Sequence, residues 1–136
     1  MRYEELEHTA DIRLRVRAAT LEDLFEEAAL ALMQVMYGDE MQPGKIERTI
    51  GIEAPDKVAL MQEFLSEVLF LSEVDNLVFS RCEASLSGQG ISARLTGESF
   101  DPARHHGGRE VKGISYSDLH IFKEGGKCIL DIILDV

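Results

Sequence analysis

Cysteine, basic residues and long apolar runs are all scarce in this 136-residue chain. Only two cysteines occur, Cys82 and Cys128, which excludes a zinc centre built on cysteine pairs; one disulfide between them is conceivable, but a cytoplasmic setting favours free thiols. Inert, partly buried thiols are expected. No apolar stretch approaches the roughly 20 residues that a membrane-spanning helix needs. Met1-Arg2-Tyr3-Glu4-Glu5 does not lead into the apolar segment of a signal peptide. The expectation is a cytoplasmic protein without a membrane partner. Basic residues number 14 against 25 acidic ones, a net charge of −11, so the surface repels phosphate backbones. Direct, tight nucleic-acid binding is therefore not expected, and a basic partner or a bound cation suits the chain better. Repeats, linkers and low-complexity tracts are absent too, which leaves one domain over residues 1–136.

What is present reads as strands punctuated by two helices. Residues 2–7 suggest a short strand. Ile12, Leu14, Val16 and Ala18 alternate with Arg13, Arg15 and Arg17, the period of a strand with one buried face. Thr20 is placed to cap a helix carrying Leu24, Phe25, Ala28, Ala29, Leu32 and Val35 at helical spacing, which Gly38 ends. Pro43-Gly44 makes a turn, Ile46, Ile50 and Ile52 mark a strand, and Pro55 is expected to open a second helix through Leu71. Strand pattern then returns at 77–79, 82–86 and 91–95, with Gly88-Gln89-Gly90 as a hairpin turn. Residues 97–109 read as a polar loop, followed by strands near 110–116, 118–123 and 127–134, with a turn at Glu124-Gly125-Gly126. The expected class is α+β: a single-domain α/β sandwich, two helices packed on a mostly antiparallel sheet.

Three groups of residues could carry chemistry. Gly126-Lys127 is not a phosphate loop, because Ile121 and Cys128 stand where that motif needs glycine and Ser/Thr. Asp11, Asp131 and Asp135 lie at or near strand ends, and three converging oxygen donors would suit a hard divalent cation. The segment from Gly97 gathers Glu98, Asp101, Arg104, His105 and His106 within ten residues, beside the hydroxyls of Ser99 and Ser115. Taken alone it also reads as a solvated loop, since Asp101-Pro102 is a plain turn signal. Lys112 and Tyr116 follow in a strand-like stretch where a lysine snorkels and a tyrosine packs.

Taken together, the motifs resemble the archease family. The opening His8-Thr9-Ala10-Asp11-Ile12, the block Gly97, Glu98, Asp101, Arg104, His105, Glu110, Val111, Lys112 and Tyr116, and the final Asp135-Val136 are similar to its signatures in order and position. The likeness spans essentially the whole chain. It implies a non-catalytic activator of the RtcB-type tRNA-splicing RNA ligase, promoting guanylylation and turnover in tRNA splicing and RNA repair. It also implies a bound divalent cation, with Ca2+ the expected ion and Mg2+ or Mn2+ able to fill the same hard site. By the resemblance the ligands are Asp11, Asp135 and the carboxylate of Val136, and His8, Glu98, Asp101, Arg104, His105, Lys112 and Tyr116 form a functional surface facing the ligase. Departures are Gly113, where alanine is usual, and Ser117, where the family carries histidine. Two other readings stay open: a chaperone-like interaction module with a structural metal, and a small metal-dependent hydrolase with His105 as base.

Overall fold

The computed structural model describes residues 2–6 and 11–136. In chain order the elements are β1 (Glu4–Leu6), β2 (Ile12–Ala18), α1 (Leu21–Tyr37), β3 (Ile46–Glu53), α2 (Lys57–Asp75), β4 (Leu77–Ser87), β5 (Gly90–Ser99), β6 (Gly113–Ile114), β7 (His120–Glu124) and β8 (Lys127–Asp135). They make two antiparallel sheets rather than one. The five-stranded sheet runs β1-β2-β8-β6, with β7 also on β8, and the three-stranded sheet runs β3-β5-β4. Both helices pack against strands of both sheets, and a single apolar cluster drawn from both helices and from strands of both sheets forms the core. The α+β class and the two helices on antiparallel sheet are as the period analysis requires.

Local chemistry sets the boundaries. Thr20 is extended and its Oγ1 accepts the N–H of Asp23 at 3.1 Å, while the N–H of Gly38 closes the other end of α1 on Gln34 O. For α2 the expectation shifts by two residues. Asp56, not Pro55, is the cap: its Oδ1 accepts the N–H of Ala59 at 2.8 Å, and Pro55 stands just outside the helix. Asn76 ends α2 in the left-handed region at φ 53°, a conformation its short polar side chain tolerates. The stretches at 77–79 and 82–86 are one strand, interrupted by a bulge between Phe79 and Arg81 that inserts Ser80 and breaks the alternation. Gly97 sits opposite that bulge; a Cβ there would stand 2.2 Å from Val78 O and 2.8 Å from the Cα of Phe79.

The polar loop is shifted three residues along the chain from where composition places it, to 100–112. β5 continues through Ser99, so Glu98 lies on a strand, whereas of the stretch near 110–116 only Gly113 and Ile114 pair as strand. Strand β8 is buried on both faces, which explains its nearly unbroken apolar run. Cys82 and Cys128 are buried and free, and burial pushes the Cys82 thiol up to about 12. Its thiolate is scarce at neutral pH and its reactivity low.

Candidate functional site

The register of β2 on β8 brings the two ends of the chain together. Ile12 faces Leu134, so Asp11, one residue earlier, and Asp135, one residue later, reach the same end of the five-stranded sheet. On the other side of β8, Gly113 faces Asp135, and the Lys112 N–H donates to Asp135 O at 2.7 Å. The Asp135 carboxylate lies over Gly113, its Oδ2 3.6 Å from where a Cβ would stand. Val136 and Tyr116 are exposed at 42% and 53%, and Lys112 is exposed as well. Asp11, Asp135, Val136 and Lys112 therefore share one edge of the fold. Two carboxylates from distant parts of the chain are oxygen donors suited to a hard divalent cation, and no soft donor stands in the expected set. Among the described residues no group of three or more His, Cys, Asp and Glu side chains is close enough to hold a metal. A cation at this edge would need donors beyond these two side chains.

Asp131 is not one of them. It is buried and holds the Arg15 guanidinium in a paired contact, Nε to Oδ1 at 2.7 Å and Nη2 to Oδ2 at 2.8 Å. Those hydrogen bonds keep its carboxyl below the usual carboxylate range, and Arg15 also covers the Phe122 ring. The ion pair neutralises charge on the outer face of the sheet, so the third aspartate of the sequence pattern is structural. His8 lies outside the described residues.

The segment from Glu98 to His105 folds into an inward-facing network. Glu98 accepts from both Nη atoms of Arg104, from the backbone N–H of Gln42 at 3.0 Å, and from His105 Nε2 at 3.2 Å. These contacts, Arg104 first, hold the Glu98 carboxyl down at about 2. Asp101 turns the loop: its carboxylate accepts the N–H of Ala103, its carbonyl accepts those of Arg104 and His105, and its side chain lies 3.4 Å from Arg104. The N–H of Asp101 donates to His105 Nδ1 at 2.8 Å, which makes Nε2 the protonated nitrogen that faces Glu98. Only 2% of His105 is exposed, and its ring packs among Tyr37 and Phe100. With Nδ1 already accepting and Nε2 donating, His105 has no lone pair to offer a water, which removes the base required by the hydrolase reading.

This network anchors the loop to the helices. Tyr37 Oη lies 2.6 Å from Ser72 Oγ, which in turn donates to Leu77 O, and the Arg109 N–H donates to Val35 O. Ser72, buried in α2, and the glycines that let the loop pass close to α1 gave no sign in the sequence of their part. The loop in turn delivers Lys112 and Gly113 to the Asp135 edge.

The sequence pattern of the Archease protein family (MTH1598/TM1083) matches residues 3–136. This chain belongs to the archease family. Among its archease relatives, the protein of Methanopyrus kandleri is 36% identical over the whole of both chains, and that of Methanosarcina mazei is 34% identical over 99% of this chain and 96% of its own. The solution structure of Methanobacterium thermoautotrophicum protein 1598 superimposes with a TM-score of 0.85 at 27% identity, covering 99% of both chains. A Thermotoga maritima crystal structure, described as an archease and possible chaperone, shares the fold at a TM-score of 0.65 and 16% identity, covering 98% of this chain and 96% of its own. Among the described residues no helix is long and apolar enough to cross a membrane.

Proposed function

We propose that this archease is a protein cofactor of an RtcB-type tRNA-splicing RNA ligase, promoting its guanylylation and turnover while holding a divalent cation. Family membership supports the reading, and one structural observation carries it: the register that brings Asp11 and Asp135 to one edge beside Lys112 and Gly113. Asp11, Asp135 and the carboxylate of Val136 would hold the ion, Ca2+ first and Mg2+ or Mn2+ as alternatives. When bound, such an ion supplies positive charge at an edge of an otherwise acidic protein, where an anionic nucleotide could approach. The protein's own groups do the rest. Lys112 adds a second positive charge at that edge, and the exposed Tyr116 and the half-buried Asp101 serve as contacts for the ligase. Glu98, Arg104 and His105 act by holding that loop in place. A surface at −11 suits the basic face of an RNA enzyme better than RNA itself.

The experiment mixes the protein with the ligase, GTP and each divalent ion and follows guanylylation of the ligase. Faster guanylylation and multiple turnovers in the presence of the protein are expected. Unchanged ligase kinetics at every ion and ratio would sink the reading and leave the interaction-module alternative, which the exposed Phe70 and Val74 favour.

A further inference from the structure

Helix α2 has more apolar surface than the core uses. Its inward residues, Leu60, Met61, Phe64, Leu65, Val68 and Leu69, are buried. A helix with one side on the core usually carries polar residues on the other. Here Phe70 and Val74, one turn apart, are 56% and 60% exposed. Glu63 and Glu67 continue the same stripe toward the N-terminus at seven- and three-residue steps from Phe70, so the outer face reads acidic, acidic, apolar, apolar. Phe70 and Val74 flank an open groove of about 330 Å3 whose other wall is Lys112 and Gly113, with Glu73 on its rim. Since Gly113 faces Asp135 in the sheet, the groove abuts the edge that carries the two aspartates.

We infer that this stripe and groove dock a protein segment presenting one or two bulky apolar side chains followed by lysines or arginines, and that the ligase supplies it. The inference rests on the activator reading and adds the surface through which the two proteins meet. Charge decides the occupant. Exposed bulky side chains on adjoining turns are the usual anchors of a protein contact, and desolvating them drives it. The glutamates beside them select a basic flank and reject RNA. They also reject a second copy, because two chains at −11 would bring like-charged stripes together. The position next to the aspartate edge lets one partner engage the groove and the cation site at once.

The test measures ligase binding by calorimetry at saturating Ca2+, with Phe70→Asp, Phe70→Ala and the double variant Glu63→Lys/Glu67→Lys beside the wild type. Circular dichroism and Ca2+ titration accompany each, since all three positions lie on the outer face of α2 and none belongs to the proposed ligand set, so a docking loss is separated from a loss of fold or of ion. Phe70→Asp should weaken binding about tenfold or more. Phe70→Ala should weaken it less, and the double variant should slow association and flatten its salt dependence, with folding and Ca2+ affinity unchanged throughout. Wild-type binding by all three variants would overturn the groove while leaving the activator reading in place. A wild-type protein that neither binds nor stimulates the ligase would overturn both. Self-association that Phe70→Asp abolishes would assign the face to a second copy and overturn the inference in that way.

Discussion

Two glycines show how differently single residues are constrained. Gly97 lies against the β4 bulge, where a Cβ would meet backbone atoms at 2.2 and 2.8 Å that cannot move aside alone. Gly97→Ala should therefore cost about 1–3 kcal/mol or more, read as a lower denaturation midpoint. Gly113→Ala meets only Asp135 Oδ2 at an ordinary 3.6 Å and needs no unusual φ. It should leave stability unchanged or raise it by about 0.4–1 kcal/mol, and a drop comparable to that of Gly97→Ala would contradict the placement of the Asp135 carboxylate. Glu98 supplies a pH signature. Its carboxyl falls from an ordinary 4.5 to about 2 on folding, so its contribution is complete above about 4.5 and is lost as the pH falls toward about 2. Glu98→Gln should be less stable at neutral pH, by about 1–3 kcal/mol, and its stability should change less between those two pH values than the wild type's. Parallel curves for the two proteins would remove Glu98 as the group responsible.

At the scale of elements, the informative contact joins α1 to β4. Strand β4 is an edge of the three-stranded sheet, and a free edge is a template for unwanted pairing. Glu26 accepts the N–H of Ala84 and Glu22 that of Leu86, each at 2.7 Å, so two side chains of one helix face occupy donors along the edge. These glutamates lie four residues apart in α1 and would pass for ordinary solvated residues in the sequence. Glu22→Ala/Glu26→Ala should lower stability by about 1–3 kcal/mol for each donor left without its partner and should promote aggregation on heating. Melting followed by light scattering checks this, and a variant that melts and stays clear like the wild type would show that water serves those donors equally well. The α2 cap is a smaller effect of the same kind: Asp56→Ala should cost about 1 kcal/mol, while Pro55→Ala, outside the helix, should not affect capping.

For the whole molecule, the arrangement that matters is an antiparallel pairing between nearly the first strand and the last. It brings Asp11 and Asp135, 124 positions apart in number, to one edge. If the proposed cation site is right, Asp11→Ala and Asp135→Ala should each lower divalent-ion affinity in calorimetric titration while leaving the circular dichroism spectrum intact, because either change would remove a charged oxygen donor. Wild-type affinity in both variants would dismiss the cation site. A residue tag joined after Val136 should also weaken binding, and excess ion should restore ligase stimulation if affinity is what the tag costs. Equal stimulation by N- and C-terminally tagged protein at limiting ion would take Val136 out of the ligand set.

Much of this was written in local pattern. The alternation from Ile12 to Ala18, the helical spacing after Thr20 and the turns at Gly88-Gln89-Gly90 and Glu124-Gly125-Gly126 each depend on residues within a few positions, so two helices, most of the strands and the α+β class were legible in the chain alone. The motif order pointed to the archease family for the same reason, since motifs are local strings. Which residues meet across the fold depends instead on register and packing, which no local period encodes. Only the tertiary structure separated Asp131, consumed by Arg15, from Asp11 and Asp135 at the sheet edge. Only it turned His105 from a candidate base into a buried link with both ring nitrogens occupied. The two-sheet division, the bulge at Ser80 and the unused apolar turn at Phe70 and Val74 were decided in the same way, by what each element met when the core closed.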